Sequence, residues 1–173
     1  MKADRLKRFS VIVWLIVCAV NVHARPASLV SRKQHLSIAL DVPARWSGPA
    51  YKAWPSYETW SFSKGTDPNI SYLEIRVDCV RRSKLDWNTA GPEQIKKTFD
   101  DFANPDVEAV AKIMIDGKPI VVWAAHNVDG ELLIAKLRHG SCDLNFELRT
   151  NSRAELRTQR ATFLNALKSV RLK

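Results

Sequence analysis

Three histidines are the side chains best suited to acid–base chemistry in the part of this 173-residue chain that follows residue 24: His35, His126 and His139. None of them has a second histidine or a carboxylate at a metal-ligand spacing such as an i, i+4 helical pair. The segment His139-Gly140-Ser141-Cys142-Asp143 gathers an imidazole, a hydroxyl, a thiol and a carboxylate within five residues. Neighbouring strand and turn residues point in alternating directions, so these groups cannot converge as a catalytic triad does. We therefore predict no catalytic residues, no metal site and no cofactor.

Two further kinds of binding chemistry are not favoured. The six glycines are scattered, so no loop of the phosphate-cradling type is present in the sequence. Nucleic-acid binding needs basic residues interleaved with exposed aromatic residues, and Arg45-Trp46 and Lys52-Ala53-Trp54 are only a weak version of that pattern. We predict that the protein does not bind nucleic acid.

A row of arginines accompanies the strongest helix signal, near the C-terminus. Ser152 and Glu155 form a capping-box pattern ahead of apolar residues at helical spacing. Arg153, Arg157 and Arg160, here called the arginine row, are spaced by four and three, so they project on the same side of the helix. The row is either a surface for an anionic group or a set of long side chains that cover apolar edges while their charges stay in water.

The segment from Pro43 to Ser56 is the most aromatic loop predicted in the chain. Its glycine and prolines predict turns that cannot extend a strand ladder. We expect its aromatic side chains to pack partly over a sheet and to leave an edge for an apolar ligand or partner. These candidate surface residues are Trp46, Tyr51 and Trp54.

The first 24 residues have the layout of a secretory signal peptide. Four basic residues precede an uncharged stretch from Phe9 to Val22, and Val22-His23-Ala24 follows as a cleavage motif. The stretch is shorter than the ~20 residues that a membrane-spanning helix needs. We predict cleavage after Ala24, no stable membrane span afterwards, and a periplasmic or secreted protein. Because Val17 before Cys18 is not small, we expect no lipid anchor.

Charge and cysteine content agree with export. Cleavage would remove four basic residues and Asp4, which lowers the net charge from +9 to +6. The basic excess favours an anionic surface or an acidic envelope protein as partner, or is a solvated surface without function. Cleavage also leaves two cysteines, Cys79 and Cys142, which share parity with the apolar faces of their predicted strands. We predict that these two strands are neighbours and that the cysteines form a disulfide in an oxidising compartment. The alternative is two buried free thiols.

Alternating apolar residues from Val107 to Arg149 predict three or four consecutive antiparallel strands. Asp116-Gly117 and Asp129-Gly130 are hairpin signals between them. The strand around Trp123 is apolar on both faces, which predicts a central position. The strand Cys142–Arg149 alternates apolar and polar residues, which predicts one buried and one wet face.

The elements upstream complete the predicted fold. We expect a mobile leader over residues 25–35, a first strand over Leu36–Val42 that pairs with Tyr57–Ser63, and a third strand that ends at Cys79. Pro92 predicts the start of a helix that ends at Ala103. The predicted fold is an α/β sandwich of the α+β class. It has a central antiparallel sheet of about six strands, one helix after the third strand and a C-terminal helix packed on the sheet, all in one domain over residues 36–173.

Two short segments carry a family resemblance. Val42-Pro43-Ala44-Arg45-Trp46 and Phe163-Leu164-Asn165-Ala166-Leu167-Lys168-Ser169-Val170-Arg171, in this element order, resemble the PsbP-like proteins, which include bacterial envelope proteins of the DcrB type. The resemblance implies a compact α/β sandwich with a sheet between helices, used as a binding or accessory module without known catalytic residues. It assigns no functional residue to this chain.

Two functional hypotheses follow. The first is an exported, non-enzymatic binding or accessory protein of the bacterial cell envelope, with an unknown ligand. The second is a secreted hydrolase-like enzyme that uses His126 or His139 near the hairpin ends, for which the sequence supplies no nucleophile and no orienting partner. Convergence of a histidine and a carboxylate in one cleft would favour the enzyme.

Overall fold

The computed structural model describes residues 24–32, 35–65, 71–80, 83–99, 105–127 and 130–173. These residues form ten strands and two helices in two antiparallel sheets. The elements in chain order are β1 (Ala24–Val30), β2 (Ser37–Pro43), β3 (Trp46–Ala53), β4 (Tyr57–Lys64), β5 (Ser71–Asp78), α1 (Pro92–Lys96), β6 (Asp106–Ile115), β7 (Lys118–Asn127), β8 (Gly130–His139), β9 (Cys142–Thr150), α2 (Arg153–Ser169) and β10 (Arg171–Leu172).

The large sheet contains seven strands in the order β3-β4-β5-β9-β8-β7-β6. Its second half is the meander β6 to β9, which confirms the consecutive antiparallel strands predicted over Val107–Arg149. At the first hairpin, Asp116 and Gly117 have φ angles of 47° and 77°, as a type I′ turn requires. Residues 128 and 129 of the second hairpin lie outside the described residues.

The main core lies between one face of the large sheet and a layer made of the small sheet and α2. The small sheet has the order β1-β2-β10, and its apolar residues Ile38, Leu40 and Val42 are buried against the large sheet. α2 begins after Ser152, whose hydroxyl accepts a hydrogen bond from the Glu155 backbone N–H. The helix buries a stripe at helical spacing in the same core: Leu156, Phe163 and Leu167.

A second, smaller core covers the opposite face of the sheet near β7 and β8. Trp87 and Ile95 pack there against Trp123 and Ile134, and the Trp123 indole donates to the Trp87 carbonyl at 3.0 Å. β7 is therefore apolar on both faces because α2 covers one and the residues around α1 cover the other. It lies inside the sheet, between β6 and β8, while β9 is the middle strand.

The predicted mobile leader is wrong where the structure describes it. Ala24–Val30 is strand β1, which pairs with β2 along its whole length, and Leu29 is buried in the main core. The predicted pairing of the Leu36–Val42 strand with Tyr57–Ser63 is also wrong, because β2 pairs with β1 and β10 in a separate sheet. Alternation showed which face of each strand is buried but did not identify its partner.

The predicted aromatic loop from Pro43 to Ser56 is also wrong. Most of it is β3, an edge strand paired with β4, and the register shifts between Ser47 and Ala50, around Gly48 and Pro49. An edge strand tolerates proline at a bulge because no neighbour needs the missing N–H. Two strands that were not predicted, β1 and β3, contribute to a total above the predicted six.

The predicted helix Pro92–Ala103 is short in the structure. α1 covers Pro92–Lys96 and follows the fifth strand instead of the third. Residues 100–103 of the prediction lie outside the described residues. The expected wet face of β9 is partly covered, because Asp143 and Asn145 are each only 9% exposed.

The predicted signal peptide, residues 1–24, lies outside the described residues except for Ala24. Among the residues that the structure describes, no helix combines the length and hydropathy needed to cross a membrane.

Candidate functional site

A cleft of about 320 Å³ opens between α2 and strands β6 to β8. Its apolar lining comes from the sheet and from the buried side of the helix, whereas its polar lining comes from strand ends and the solvent edge of the helix. The apolar lining is Val110, Ala124, Leu133 and Leu156, and the polar lining is Glu108, His126, Arg153, Arg157 and Arg160. All three residues of the arginine row therefore line one cleft.

Simple periodicity brings these side chains together. Residues 153, 157 and 160 lie on one side of α2. On β7, His126 has the same parity as Val122 and Ala124, so it faces α2. α2 begins directly after β9, whose last residue, Thr150, pairs with Glu131 on β8. Arg153 therefore lies near the end of β7 that carries His126. A helix edge thus faces a strand end across an apolar floor.

His126 lies between two carboxylates. Its Nδ1 contacts the Glu131 carboxylate, and its Nε2 lies 3.5 Å from Glu108 Oε1. The His126 and Glu131 side chains are about one-tenth exposed, whereas Glu108 is largely exposed at the rim. No hydrogen bond is formed by the buried Nε2 atom. One ring nitrogen is therefore fixed by a carboxylate, and the other lies buried beside Glu108.

The three arginines have different local partners. Arg160 donates to the Val110 carbonyl, and Arg153 Nε lies 3.9 Å from Glu131 Oε1. No hydrogen bond or ion pair joins Arg157 to another described residue. Two carboxylates, Glu108 and Glu131, lie beside the three guanidinium groups, so the polar side of the cleft still carries a net positive charge.

This arrangement can bind an anion and can position a proton acceptor. Guanidinium groups hold carboxylate and phosphate oxygens well because their N–H donors form a planar fork. His126 with Glu131 has the geometry of an oriented general base. Of the described residues that line the cleft, none is a serine, threonine or cysteine, so they supply no hydroxyl or thiol nucleophile.

The sequence could have identified Glu131 as the partner of His126. Asn127 pairs with Gly130 across the second hairpin, and the next pair along the strands is His126 with Glu131. Glu108 is reached in the same way through the pairing of β6 with β7. The Asp129-Gly130 signal predicts the hairpin, and counting the strand pairs outward from it would have predicted the contact of His126 with Glu131. Within the described part of the chain, no group of three histidine, cysteine or acidic side chains is arranged to hold a metal ion.

Trp46, Tyr51 and Trp54 do not form one surface. Trp46 is only 6% exposed and packs with Leu73, Leu148 and Phe163 beneath α2. Trp54 is 47% exposed beyond the end of β3, and its ring centroid lies 5.8 Å from that of Tyr57. Trp46 is therefore a core residue, and a ligand edge in this region stays a prediction for Trp54 alone.

Tyr51 belongs to a hydrogen-bonded cluster around the buried Glu58. The Tyr51 hydroxyl donates to Glu58 Oε1 at 2.6 Å, and this bond raises the pKa of Tyr51. Ser31 Oγ and the Arg32 backbone N–H also donate to the Glu58 carboxylate. Because Ser31 and Arg32 follow β1 while Glu58 is on β4, the cluster joins the two sheets.

Cys79 and Cys142 form a disulfide, with their Cα atoms 4.0 Å apart. They lie one position beyond the last β5–β9 pair, Asp78 with Asp143. The predicted adjacency of these two strands is thus correct. His139 is paired with Cys142 at the β8–β9 hairpin and His35 lies in the loop before β2, so neither shares the cleft with His126.

Comparison with known proteins identifies the fold. No protein-family model matches the sequence, and no curated protein sequence matches it. The solution structure of cyanobacterial PsbP (CyanoP) from Synechocystis sp. PCC 6803 is similar, with a TM-score of 0.54 and 15% identity over 92% of this chain and 99% of that chain. The predicted resemblance to the PsbP-like fold is therefore confirmed.

A more distant similarity is found to LpqN of Mycobacterium tuberculosis, whose crystal structure is described as that of a protein involved in cell envelope biogenesis. The TM-score is 0.40, with 10% identity over 87% of this chain and 91% of that chain.

Proposed function

We propose that this PsbP-like chain is an exported binding or accessory protein of the bacterial cell envelope, which holds an organic anion in the cleft beside α2. The observation that carries the proposal is the convergence of the whole arginine row and His126 above an apolar floor. The ligand class is a carboxylate or phosphate group attached to a short apolar body. The Cys79–Cys142 disulfide supports an oxidising compartment.

The shape of the cleft favours a ligand with two ends. Its volume of about 320 Å³ is at the small end of the range for small-molecule sites. Val110, Leu133 and Leu156 can contact an apolar body, while Arg153 and Arg157 can bind a charged group. A fully hydrophilic anion would leave the apolar floor without a contact, and a neutral apolar molecule would leave Arg157 without an ionic partner among the described residues.

The alternative role of the arginine row is to cover apolar edges. The contacts of Arg160 fit that role, whereas those of Arg157 do not. Arg160 is anchored on the Val110 carbonyl of the neighbouring strand. Arg157 is exposed and has no such anchor among the described residues. We therefore expect Arg157 and Arg153 to contribute most to anion binding.

We expect octanoate to bind the purified protein and 1-octanol to bind at least tenfold more weakly, because only octanoate has a carboxylate. Replacing Arg153 and Arg157 together by glutamine should weaken octanoate binding by about 30-fold or more, since hydrogen bonds to charged groups contribute about 1.5–3 kcal/mol each. Isothermal titration calorimetry at two salt concentrations measures both effects.

The matched control replaces Arg45 and Lys52 by glutamine, which removes the same charge from exposed positions outside the cleft. This variant should bind octanoate within twofold of the unmodified protein. Equal losses in both variants would mean that only the net charge matters, and the proposed cleft would then not be the site.

A second candidate function is supported by the His126–Glu131 contact, which supplies the orienting partner that the sequence did not reveal. In a hydrolase, His126 Nε2 would take a proton from a water molecule as that water attacks an ester carbonyl, and the arginines would stabilise the resulting oxyanion. Binding without turnover remains the main proposal because the lining residues in the described part of the chain include no nucleophilic hydroxyl or thiol.

The hydrolase candidate is tested with p-nitrophenyl octanoate. Oriented general-base catalysis contributes about 10²–10⁴-fold, so His126→Gln would lower esterase turnover by at least about 100-fold if the enzyme hypothesis holds. Our main proposal predicts instead no turnover above the uncatalysed rate in the unmodified protein, in His126→Gln or in the control variant His139→Gln, whose replaced side chain lies outside the cleft. Turnover that is abolished in His126→Gln and kept in His139→Gln would replace the binding function by the enzymatic one.

A further inference from the structure

A second polar cleft lies on the opposite face of the large sheet, away from α2. Its volume is about 280 Å³, and it is formed between β8 and the segment that precedes α1. The lining residues are Ser83, Leu85, Asp86, Trp87, Asn88, Lys136, Leu137, Arg138 and Asp143. None of them lines the first cleft.

Lys136 is the unusual residue of this cleft. Its ammonium lies 3.8 Å from the centroid of the Trp87 ring, over the ring face. Among the described residues, it forms no ion pair and no hydrogen bond. Burial lowers the pKa of Lys136 to about 8. A half-buried ammonium that contacts an aromatic face and no carboxylate among the described residues has lost part of its solvation without a full replacement.

The carboxylates near Lys136 are each held by other groups. Asp143 accepts from Arg138 Nε at 2.9 Å and from the Ser83 backbone N–H at 2.7 Å. Asp86 accepts from the backbone N–H of Asn88 and from the Thr89 hydroxyl. On β9, the Glu147 carboxylate is paired with Arg149 at 3.1 Å.

Two further polar atoms beside Lys136 are buried and have no hydrogen-bond partner among the residues that the structure describes. Trp87 Nε1, a donor, belongs to the ring that Lys136 covers, and this residue is 3% exposed. Asn145 lies directly opposite Lys136 on β9, is 9% exposed, and its Oδ1 atom has no hydrogen-bond donor. Buried polar atoms in proteins are nearly always paired, so several unpaired ones around one cleft indicate a place for a polar ligand.

We infer that this second cleft binds a small oxyanion, a carboxylate or phosphate group, between the Lys136 ammonium and the Trp87 indole N–H. The inference follows from the donor set, since both groups donate and one of them is positively charged. Asn145 Oδ1 would accept from a hydroxyl or N–H next to the oxyanion. This site does not depend on the proposed function, because it shares no residue with the cleft beside α2.

The test is an NMR titration of ¹⁵N-labelled protein with sodium acetate and, separately, with sodium phosphate, each against sodium chloride at equal ionic strength. We expect the Trp87 indole N–H signal to shift saturably with acetate or phosphate and not with chloride. The anion that binds more tightly, acetate or phosphate, identifies the ligand group. Equal shifts with chloride, or no shift with either oxyanion, would overturn the inference.

Variants separate this site from the first cleft. Lys136→Met should abolish the shift of the Trp87 signal, whereas Arg153→Gln should leave it unchanged. If Lys136→Met does not fold, the unmodified protein still decides, because oxyanion binding stabilises the ammonium and should raise the pKa of Lys136 in a ¹³Cε titration. A pKa that stays near 8 with acetate or phosphate present would contradict binding at Lys136.

The pH dependence of oxyanion affinity is a second, independent test of binding at Lys136. Glu147 and Asp143 favour the charged form of Lys136, Arg76 and burial oppose it, and Asp86 and Arg138 face it from the rim. Acetate stays ionised from about pH 6 to pH 10 and binds the ammonium form of Lys136. Its affinity should therefore be constant from about pH 6 to pH 7 and fall by about tenfold per pH unit above the pKa of Lys136. Affinity that is unchanged from pH 7 to pH 10 would exclude Lys136 as the anchor.

Discussion

Reduction of the Cys79–Cys142 disulfide is expected to lower the free energy of unfolding by about 4 kcal/mol. The bond joins residues separated by 63 positions, and in the entropic model it restricts the unfolded chain by about that amount. For a domain of this size the melting temperature should fall by roughly 8–16 °C. Thermal unfolding with and without a phosphine reductant measures the change.

The control is the double variant Cys79→Ser with Cys142→Ser, which should melt near the reduced protein and be insensitive to reductant. Both clefts should keep their ligands below the melting temperature, because the disulfide lines neither of them. Uptake of two alkyl groups by the unreduced, denatured protein would show that the two thiols are free and would contradict the bond.

Replacement of Glu58 by alanine is expected to cost about 3 kcal/mol or more of unfolding free energy. Its carboxylate is 1% exposed and accepts hydrogen bonds from Ser31, from the Arg32 backbone and from Tyr51. Alanine leaves the buried Ser31 hydroxyl and the two part-buried donors without this acceptor, and each unsatisfied buried group costs about 1–3 kcal/mol. Urea unfolding followed by tryptophan fluorescence measures the loss.

Two variants show whether the cost arises at the contact between the sheets. Tyr51→Phe removes one donor and should cost about 1 kcal/mol. Glu74→Ala changes a carboxylate on the opposite face of the large sheet and should cost clearly less than Glu58→Ala. If Glu58→Ala were no more costly than Glu74→Ala, the cluster would not hold the small sheet onto the large one.

The sequence was sufficient where a local signal determines the contact. Asp-Gly turns specify their own hairpins, so the meander from β6 to β9 was predictable. Ser152 specifies the start of α2, and the helical spacing of the arginine row specifies its common side. The parity of Cys79 and Cys142 was informative because both lie beside paired strands.

The sequence was insufficient where a contact joins distant segments. Nothing in Ala24–Val30 indicates that it pairs with β2, since the pairing depends on a core formed with β4, β5 and α2. Gly48 and Pro49 suggested a loop because both residues destabilise a strand inside a sheet. An edge strand tolerates them, but which strand lies at the edge depends on the assembled sheet. The cleft beside α2 was only half predictable. The arginine row was found, but the sheet face that it meets depends on how α2 packs.

The most direct measurement of the proposed function is chemical-shift mapping of the purified, ¹⁵N-labelled protein with octanoate. Binding in the cleft beside α2 predicts that the largest saturable shifts occur at the backbone amides of Val110, His126, Leu133, Arg153 and Arg157, from both walls of the cleft. Shifts confined to other regions, such as Trp54 at the end of β3, or no saturable shift at any residue, would contradict an anion site in this cleft.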